Sequence, residues 1–230
     1  MRKLVEQVRK EDIAAIILAG GQARRLGDKR PPGGKAECIV GGKSLLRIVS
    51  EALVPVADSV LVVGGEPLKI SFQKQIHVKH ISDHQPGSGP LHAVRDGLRW
   101  IWREHVRPLP QFVIVSACDL PTINPFLVME ILHHFPKQEM LTQWAIPQVG
   151  NRLQYLFSIC RPTLFNPLDS FLVAGGRDFG GFVQALQKVE SKSVHVIRDR
   201  IWRKIDPNAC AARDIDTAAD LTVYTKPTSH

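Results

Sequence analysis

The sequence predicts one mostly parallel, doubly wound α/β sheet. Three observations carry this: apolar runs of strand length alternate with segments of helical period, the runs end at Gly, Asp or Pro, and 230 residues with 44% hydrophobic content can bury a substantial core. The first strand is Ile13 to Leu18, apolar throughout, as befits a strand covered on both faces. A helix over Ser44 to Val54 follows, because Leu45, Ile48, Val49, Ala52 and Leu53 recur at helical spacing. Ser59 to Val63 and His77 to Ile81 are the next strands. Pro90 to Arg103 opens with a proline suited to a first helical turn, with Ser88 or Gly89 as its cap. The strand Gln111 to Ala117 ends at Cys118-Asp119-Leu120-Pro121, and Asn124-Pro125 offers a cap and first-turn proline to a helix reaching His134. Beyond it the pattern is less regular. Strands are expected at Leu153 to Ile159 and Ser193 to Ile197, and helices at Pro162 to Leu172, Phe179 to Lys188 and Thr217 to Tyr224, extending the same sheet.

Composition narrows the function. A formal charge of +8 favours an anionic partner. Lys and Arg are dispersed and aromatics are only 7%, which argues against a basic, aromatic-studded nucleic-acid surface. Cys38, Cys118, Cys160 and Cys210 are far apart and form no C-x-x-C pair, so neither a zinc site nor a disulfide framework is expected, and reduced thiols fit a cytoplasmic protein. The apolar run after the basic first residues is too short to span a bilayer, so no membrane segment is expected.

The chemistry concentrates at strand ends, where ligands of open α/β sheets gather. Leu18-Ala19-Gly20-Gly21-Gln22-Ala23-Arg24-Arg25-Leu26-Gly27 follows the first strand directly. Glycines lack a Cβ, so their N–H groups can approach a phosphate, and Arg25 can fork two hydrogen bonds onto phosphate oxygens. The segment reads as a triphosphate cradle. Two commoner phosphate motifs are excluded: Gly42-Lys43-Ser44 lacks the earlier Walker A glycine, which Glu37 replaces, and Gly87-Ser88-Gly89 has His92 where a dinucleotide fingerprint needs its third glycine. Asp119, after a strand buried on both faces, suits a magnesium ligand, because Mg²⁺ takes few carboxylates beside substrate phosphates and water. Asp83 precedes the pliant His84-Gln85-Pro86-Gly87-Ser88-Gly89 and is placed to accept hydrogen bonds from a ribose or base. Lys35, in Gly33-Gly34-Lys35, can neutralise phosphate charge from a mobile arm.

Taken in order, Leu18 to Gly27, Gly34 to Leu46, Asp83 to Leu98, Cys118 to Pro121 and Asp214-Ile215-Asp216-Thr217-Ala218-Ala219-Asp220-Leu221 resemble the molybdenum cofactor guanylyltransferases. The resemblance implies a single-domain, Rossmann-like sheet of the nucleotide-diphospho-sugar transferase type over 1–230. Its parts would be an N-terminal extension (1–11), a nucleotide-binding half (12–125), an acceptor-binding half (126–225) and a tail (226–230). It implies GTP and Mo-molybdopterin as substrates, Mg²⁺ as cofactor, transient contact with molybdoenzymes or cofactor-handling proteins, and no nucleic acid or membrane. By position, Leu18, Ala19, Gly20 and Gly21 would line the nucleotide site, Arg25 and Lys35 would meet phosphates, Asp83 the nucleoside, and Asp119 the metal.

Four departures accompany this resemblance. An insertion, Arg30-Pro31-Pro32-Gly33-Gly34, makes Lys29 and Lys35 rivals for the phosphate arm; the distance to Gly42-Lys43 favours Lys35, while Lys29 keeps the preceding Asp. Gly64-Gly65 stand where the family commonly has a nucleoside-contacting Asn. Asp214-Ile215-Asp216-Thr217 replaces Asn-Ile-Asn-Thr, so Asp216 either ligates magnesium or repels an anionic acceptor. A proline expected near Gln154 and Tyr155 is missing. The alternatives are a molybdopterin cytidylyltransferase, a sugar-phosphate nucleotidyltransferase, or a non-catalytic nucleotide sensor or carrier. Sister enzymes more often carry Leu-Ala-Ala-Gly, so Gly20 favours guanine.

Overall fold

The computed structural model describes residues 8–21, 23–29, 31–65, 77–85, 87–104, 108–136 and 139–225. Most of the expected N-terminal extension and the tail 226–230 lie outside the described residues, as do the side chains of Gln22, Lys29 and Pro86. Strand β1 (Ile13–Leu18) is buried at every position, and its alternate side chains feed two apolar layers. Ile13, Ala15 and Ile17 face one layer and Ala14, Ile16 and Leu18 the other. After β1 a short hairpin, β2 (Ile39–Val40) and β3 (Lys43–Ser44), leads into α1 (Leu45–Leu53). Ser44 caps α1 by accepting the Arg47 N–H, and Leu46, Val49, Ala52 and Leu53 enter the first layer.

Strands β4 (Ser59–Val63) and β5 (His77–Ile81) precede α2 (Pro90–Glu104), which covers the opposite face. α2 approaches β1 closely at Gly97, where a Cβ would come within 2.8 Å of Ile16 Cδ1. Strand β6 (Phe112–Ala117) and α3 (Pro125–His133), capped by Asn124 through the Leu127 N–H, complete the first half. In the second half come β7 (Trp144–Val149), β8 (Arg152–Leu153), β9 (Phe157–Cys160), α4 (Phe165–Val173), α5 (Phe179–Val189), β10 (Val194–Ile197), α6 (Asp199–Trp202) and α7 (Ala218–Thr225).

The main sheet runs β10-β7-β9-β6-β1-β4-β5, parallel except at β9, while β8 pairs antiparallel with β7. The register positions the site. Leu18 pairs with both Val63 and Ala117, and Val63 with Ile81, so β1, β4, β6 and β5 release their chains along one edge.

Two expectations for the second half are corrected. Leu153 to Ile159 is not one strand: β8 and β9 are separated by a turn, in which the Phe157 N–H donates to Gln154 O. Strand β7 was not anticipated, and it contains Pro147, a residue uncommon inside strands. Its missing N–H is tolerated since Pro147 falls between two antiparallel ladders, Trp144↔Cys160 and Ala145↔Ile159 on one side, Gln148↔Leu153 and Val149↔Arg152 on the other. The expected helix from Pro162 also divides, into a 3₁₀ turn at Pro162–Leu164 and then α4.

Candidate active site

A cavity of about 520 Å³ opens on the carboxyl edge of the sheet, where Gly20, Arg25, Lys35, Asp83, Asp119 and Asp216 all reach its wall. Backbone ties fix the glycine loop to its neighbours: the Ala19 N–H donates to Val63 O at 2.9 Å, and the Cys118 N–H to Leu18 O at 3.1 Å. Gly64 (φ +75°) and Gly65 (φ +74°) stand directly after β4 in left-handed backbone. A Cβ at Gly64 would stand 3.0 Å from Gly20 Cα, and one at Gly65 3.0 Å from Ala19 O, so the loop packs directly on their backbone. The His80 ring on β5 holds this pair, its Nε2 lying 3.0 Å from Gly64 O and 3.2 Å from Gly65 O.

The inserted segment docks on the same loop. Gly34 (φ +78°) lies so close that a Cβ would meet Gly21 O at 2.8 Å, and from there Lys35 turns into the cavity. Its Nζ donates to Asp119 Oδ2 at 2.7 Å and also to Asp216 Oδ1. Arg25, largely exposed, donates to the other oxygen of Asp216 at 3.1 Å. Asp214 completes a carboxylate group in which ligand atoms of Asp119, Asp214 and Asp216 lie within 4.8 Å of one another. Asp83 caps its own turn, Oδ1 accepting the Gln85 N–H at 2.9 Å, while a Cβ on Gly20 would sit 3.7 Å from Oδ2. Leu18 and Gly21 also line the cavity, whereas Ala19 is buried in the core with Gly65 packed against it.

Distant parts of the chain fix Asp216. Ile215, fully buried, donates its N–H to Asp119 O at 3.1 Å. Asp220 accepts the Thr217 N–H and hydroxyl at 2.7 Å each and the Asp216 N–H at 3.2 Å, locking the entry to α7. Sequence reasoning gave no role to Asp214, Asp220 or His80. The Asp-x-Asp-Thr-x-x-Asp spacing was the available signal for the first two, since an acid three residues after a threonine forms a reciprocal cap.

Electrostatics sets the two ends of the central pair apart. Burial alone would lower the Lys35 ammonium, but Asp119 and Asp216 outweigh it and hold its pKa above the lysine value. Burial raises the Asp119 carboxyl above its ordinary range, Lys35 offsets only part of this, and Asp214 adds to it. The ammonium thus gains from two carboxylates more than burial costs it; the carboxylate gains less from one ammonium. The buried Cys118 thiol is pushed far up by desolvation, so it is a wall of the cavity rather than a nucleophile.

A glycine cradle, two cations and a carboxylate cluster at the carboxyl ends of parallel strands define a nucleoside-triphosphate-using α/β protein. The family of MobA-like NTP transferase domains matches residues 15–190, and the chain belongs to that family. A protein from Mycolicibacterium paratuberculosis named "Probable molybdenum cofactor guanylyltransferase" is 30% identical over 177 residues, 75% of this chain and 81% of that one. A protein of the same name from Chloroflexus aggregans is 29% identical over 210 residues, 91% of each. Among solved structures, molybdopterin-guanine dinucleotide biosynthesis protein A from Archaeoglobus fulgidus shares the fold at a TM-score of 0.66 and 21% identity, covering 92% of this chain and 96% of that one. The 4-diphosphocytidyl-2C-methyl-D-erythritol synthase of Anaerococcus prevotii does so at 0.62 and 13% identity, covering 94% and 98%. The expected nucleotide-diphospho-sugar transferase type of sheet is therefore the one observed, and the chain is a nucleotidyltransferase by family.

Proposed function

We propose that this protein transfers GMP from GTP to Mo-molybdopterin, releasing pyrophosphate and forming the guanine dinucleotide cofactor. The observation that carries the reading is the convergence of Lys35, Arg25, Asp119 and Asp216 on one cavity beside the glycine loop, in a chain whose relatives bear the guanylyltransferase name. The acceptor is a phosphate monoester, already largely ionised at neutral pH because its second pKa is about 6, so no general base is required. The barrier is the alignment of two anions, which makes positioning and charge balance the work of the protein.

The glycine loop offers backbone N–H groups to the triphosphate, and Arg25 and Lys35 bind its phosphates. Asp83 accepts from the nucleoside. Three carboxylates within 4.8 Å form a hard-oxygen donor set that suits Mg²⁺, with Asp119 as the main ligand and Asp216 as a second. When bound there, the cation supplies positive charge against the phosphates and the leaving pyrophosphate. Lys35 now stands among those carboxylates as the local cation, and it turns to the phosphates when nucleotide enters. The product passes to molybdoenzymes by transient contact. We assign the reaction to the cytoplasm, in keeping with free cysteines and with the absence, among the described residues, of any helix long and apolar enough to cross a membrane.

Incubation with Mo-molybdopterin, Mg²⁺ and each of four nucleoside triphosphates tests the assignment by pyrophosphate release. GTP alone will support turnover; turnover with CTP and not GTP refutes guanylyl transfer, and GTP binding without turnover identifies a sensor. Asp119→Asn will lower kcat by about 10²–10³ while the fold persists, a loss of the size produced by removing one charge-stabilising group.

A further inference from the structure

The loop that leaves β5 and borders the nucleotide cavity has a buried anchor. Pro90 and Ala93 of α2 line the cavity, and Asp96 lies one turn further along the same helix face. Its carboxylate is fully buried. Oδ2 accepts the His84 backbone N–H at 3.1 Å and lies 3.2 Å from His84 Nδ1. Oδ1 lies 2.8 Å from Arg95 Nε, close in charge but without hydrogen-bond alignment, and Arg95 continues to Asp169 of α4 at 3.2 Å. Neighbouring residues of that loop, Asp83, Gly87 and Gly89, are cavity wall.

A carboxylate out of water is retained only where donors and cations face it, and here they are His84 from the loop and Arg95 from α2, the latter shared with the Asp169 carboxylate of α4. The backbone bond is the informative one. It fixes the residue directly after Asp83, whose Oδ1 accepts the Gln85 N–H. A carboxylate that served only to join α2 to α4 would have no need of a main-chain donor in a glycine-rich loop.

We infer that Asp96 is a positioning residue, which through the His84 backbone holds Asp83 to Gln85, at the cavity rim, in the conformation that receives the nucleotide. This rests on the nucleotide reading of the cavity. Asp96 touches no substrate; it raises the fraction of molecules whose loop is ready, and apparent affinity scales with that fraction.

The test compares Asp96→Asn, Asp96→Ala and His84→Ala. The dissociation constant and KM for the triphosphate will rise about tenfold in Asp96→Ala, as when the ready fraction falls to about a tenth, and less in Asp96→Asn, which keeps an acceptor oxygen. kcat at saturation and KM for Mo-molybdopterin will stay within about twofold, because the loop is restored once nucleotide is bound. His84→Ala keeps the main-chain donor and will change binding less than Asp96→Ala does. Amide exchange at His84 will quicken in Asp96→Ala without nucleotide present. Unchanged triphosphate binding in both Asp96 variants overturns the inference, as does a loss shared equally by kcat and the acceptor KM, which marks a merely structural tie. Should the wild type use CTP instead of GTP, guanylyl transfer falls while the loop assignment is read on CTP. Should it bind no triphosphate, both fall.

Discussion

Replacing Lys35 by alanine strands its carboxylates. In the structure the ammonium contacts Asp119 at 2.7 Å and also Asp216, and Asp214 brings a third carboxylate within 4.8 Å of both. Two like charges at 4.8 Å repel by about 3.5 kcal/mol at an effective dielectric near 20. Solvent and salt reduce this, since the Asp216 side chain is 36% exposed. Proton uptake by Asp119, whose carboxyl burial already raises, relieves more. About 2 kcal/mol of destabilisation remains, or roughly 4–8 °C in melting temperature for a chain of this size. The same charge deletion favours a divalent cation, so the variant will bind Mg²⁺ without nucleotide about tenfold or more tightly than the wild type, while turnover falls. Thermal melts with and without Mg²⁺ at low ionic strength, with titration calorimetry for the metal, read both effects. A variant as stable as the wild type in metal-free buffer, with no gain in Mg²⁺ affinity, refutes an ammonium seated among these carboxylates.

Asp216→Asn removes a partner of both Arg25 and Lys35; GTP affinity will rise a few-fold in equilibrium binding while Mg²⁺ affinity without nucleotide falls. A folded-state pKa above the ordinary 3.8 means that Asp119 costs no stability below that value, and that the cost grows as pH rises through its raised value. Asp119→Asn will therefore match the wild-type urea midpoint near pH 3.8 and equal or exceed it at neutral pH in metal-free buffer. Gly20→Ala is sterically easy, its new Cβ at 3.7 Å from Asp83 Oδ2 and 3.9 Å from Gly64 Cα, so the protein will melt normally and shift its kcat/KM ratio from GTP toward CTP. Gly64→Ala combines a positive φ with a 3.0 Å approach to Gly20 Cα; it will lower the melting temperature by several degrees and weaken nucleotide binding, for a cost of about 1–3 kcal/mol.

The first half of the fold was legible because its signals are local. β1, β4 and β6 are short β-branched or apolar runs closed by turn residues, β5 mixes Val78 and Ile81 with His and Lys, and Asn124 caps the helix that its position suggested. The second half was less so. β7 contains Pro147, and a proline's effect depends on which neighbour lies opposite it, while the turn that splits β8 from β9 lies in a stretch whose apolar residues look continuous. In the site, spacing alone left Lys29 and Lys35 as rivals. The docking of Gly34 against Gly21 O brings Lys35 to Asp119, a contact that no local pattern could announce.

By itself the sequence determined a glycine loop after a buried strand and an aspartate at the end of another, because turn chemistry and two-faced burial are written residue by residue. Only the tertiary structure decided that Lys35 meets Asp119 and Asp216, that Asp214 joins them, and that Asp96 lies buried beneath the loop after β5. The reason is separation: these partners lie 84 and 181 residues from Lys35 along the chain; parallel register sets the end of β6, which carries Asp119, beside the end of β1, and the Ile215 N–H bond to Asp119 O brings Asp216 to the same edge.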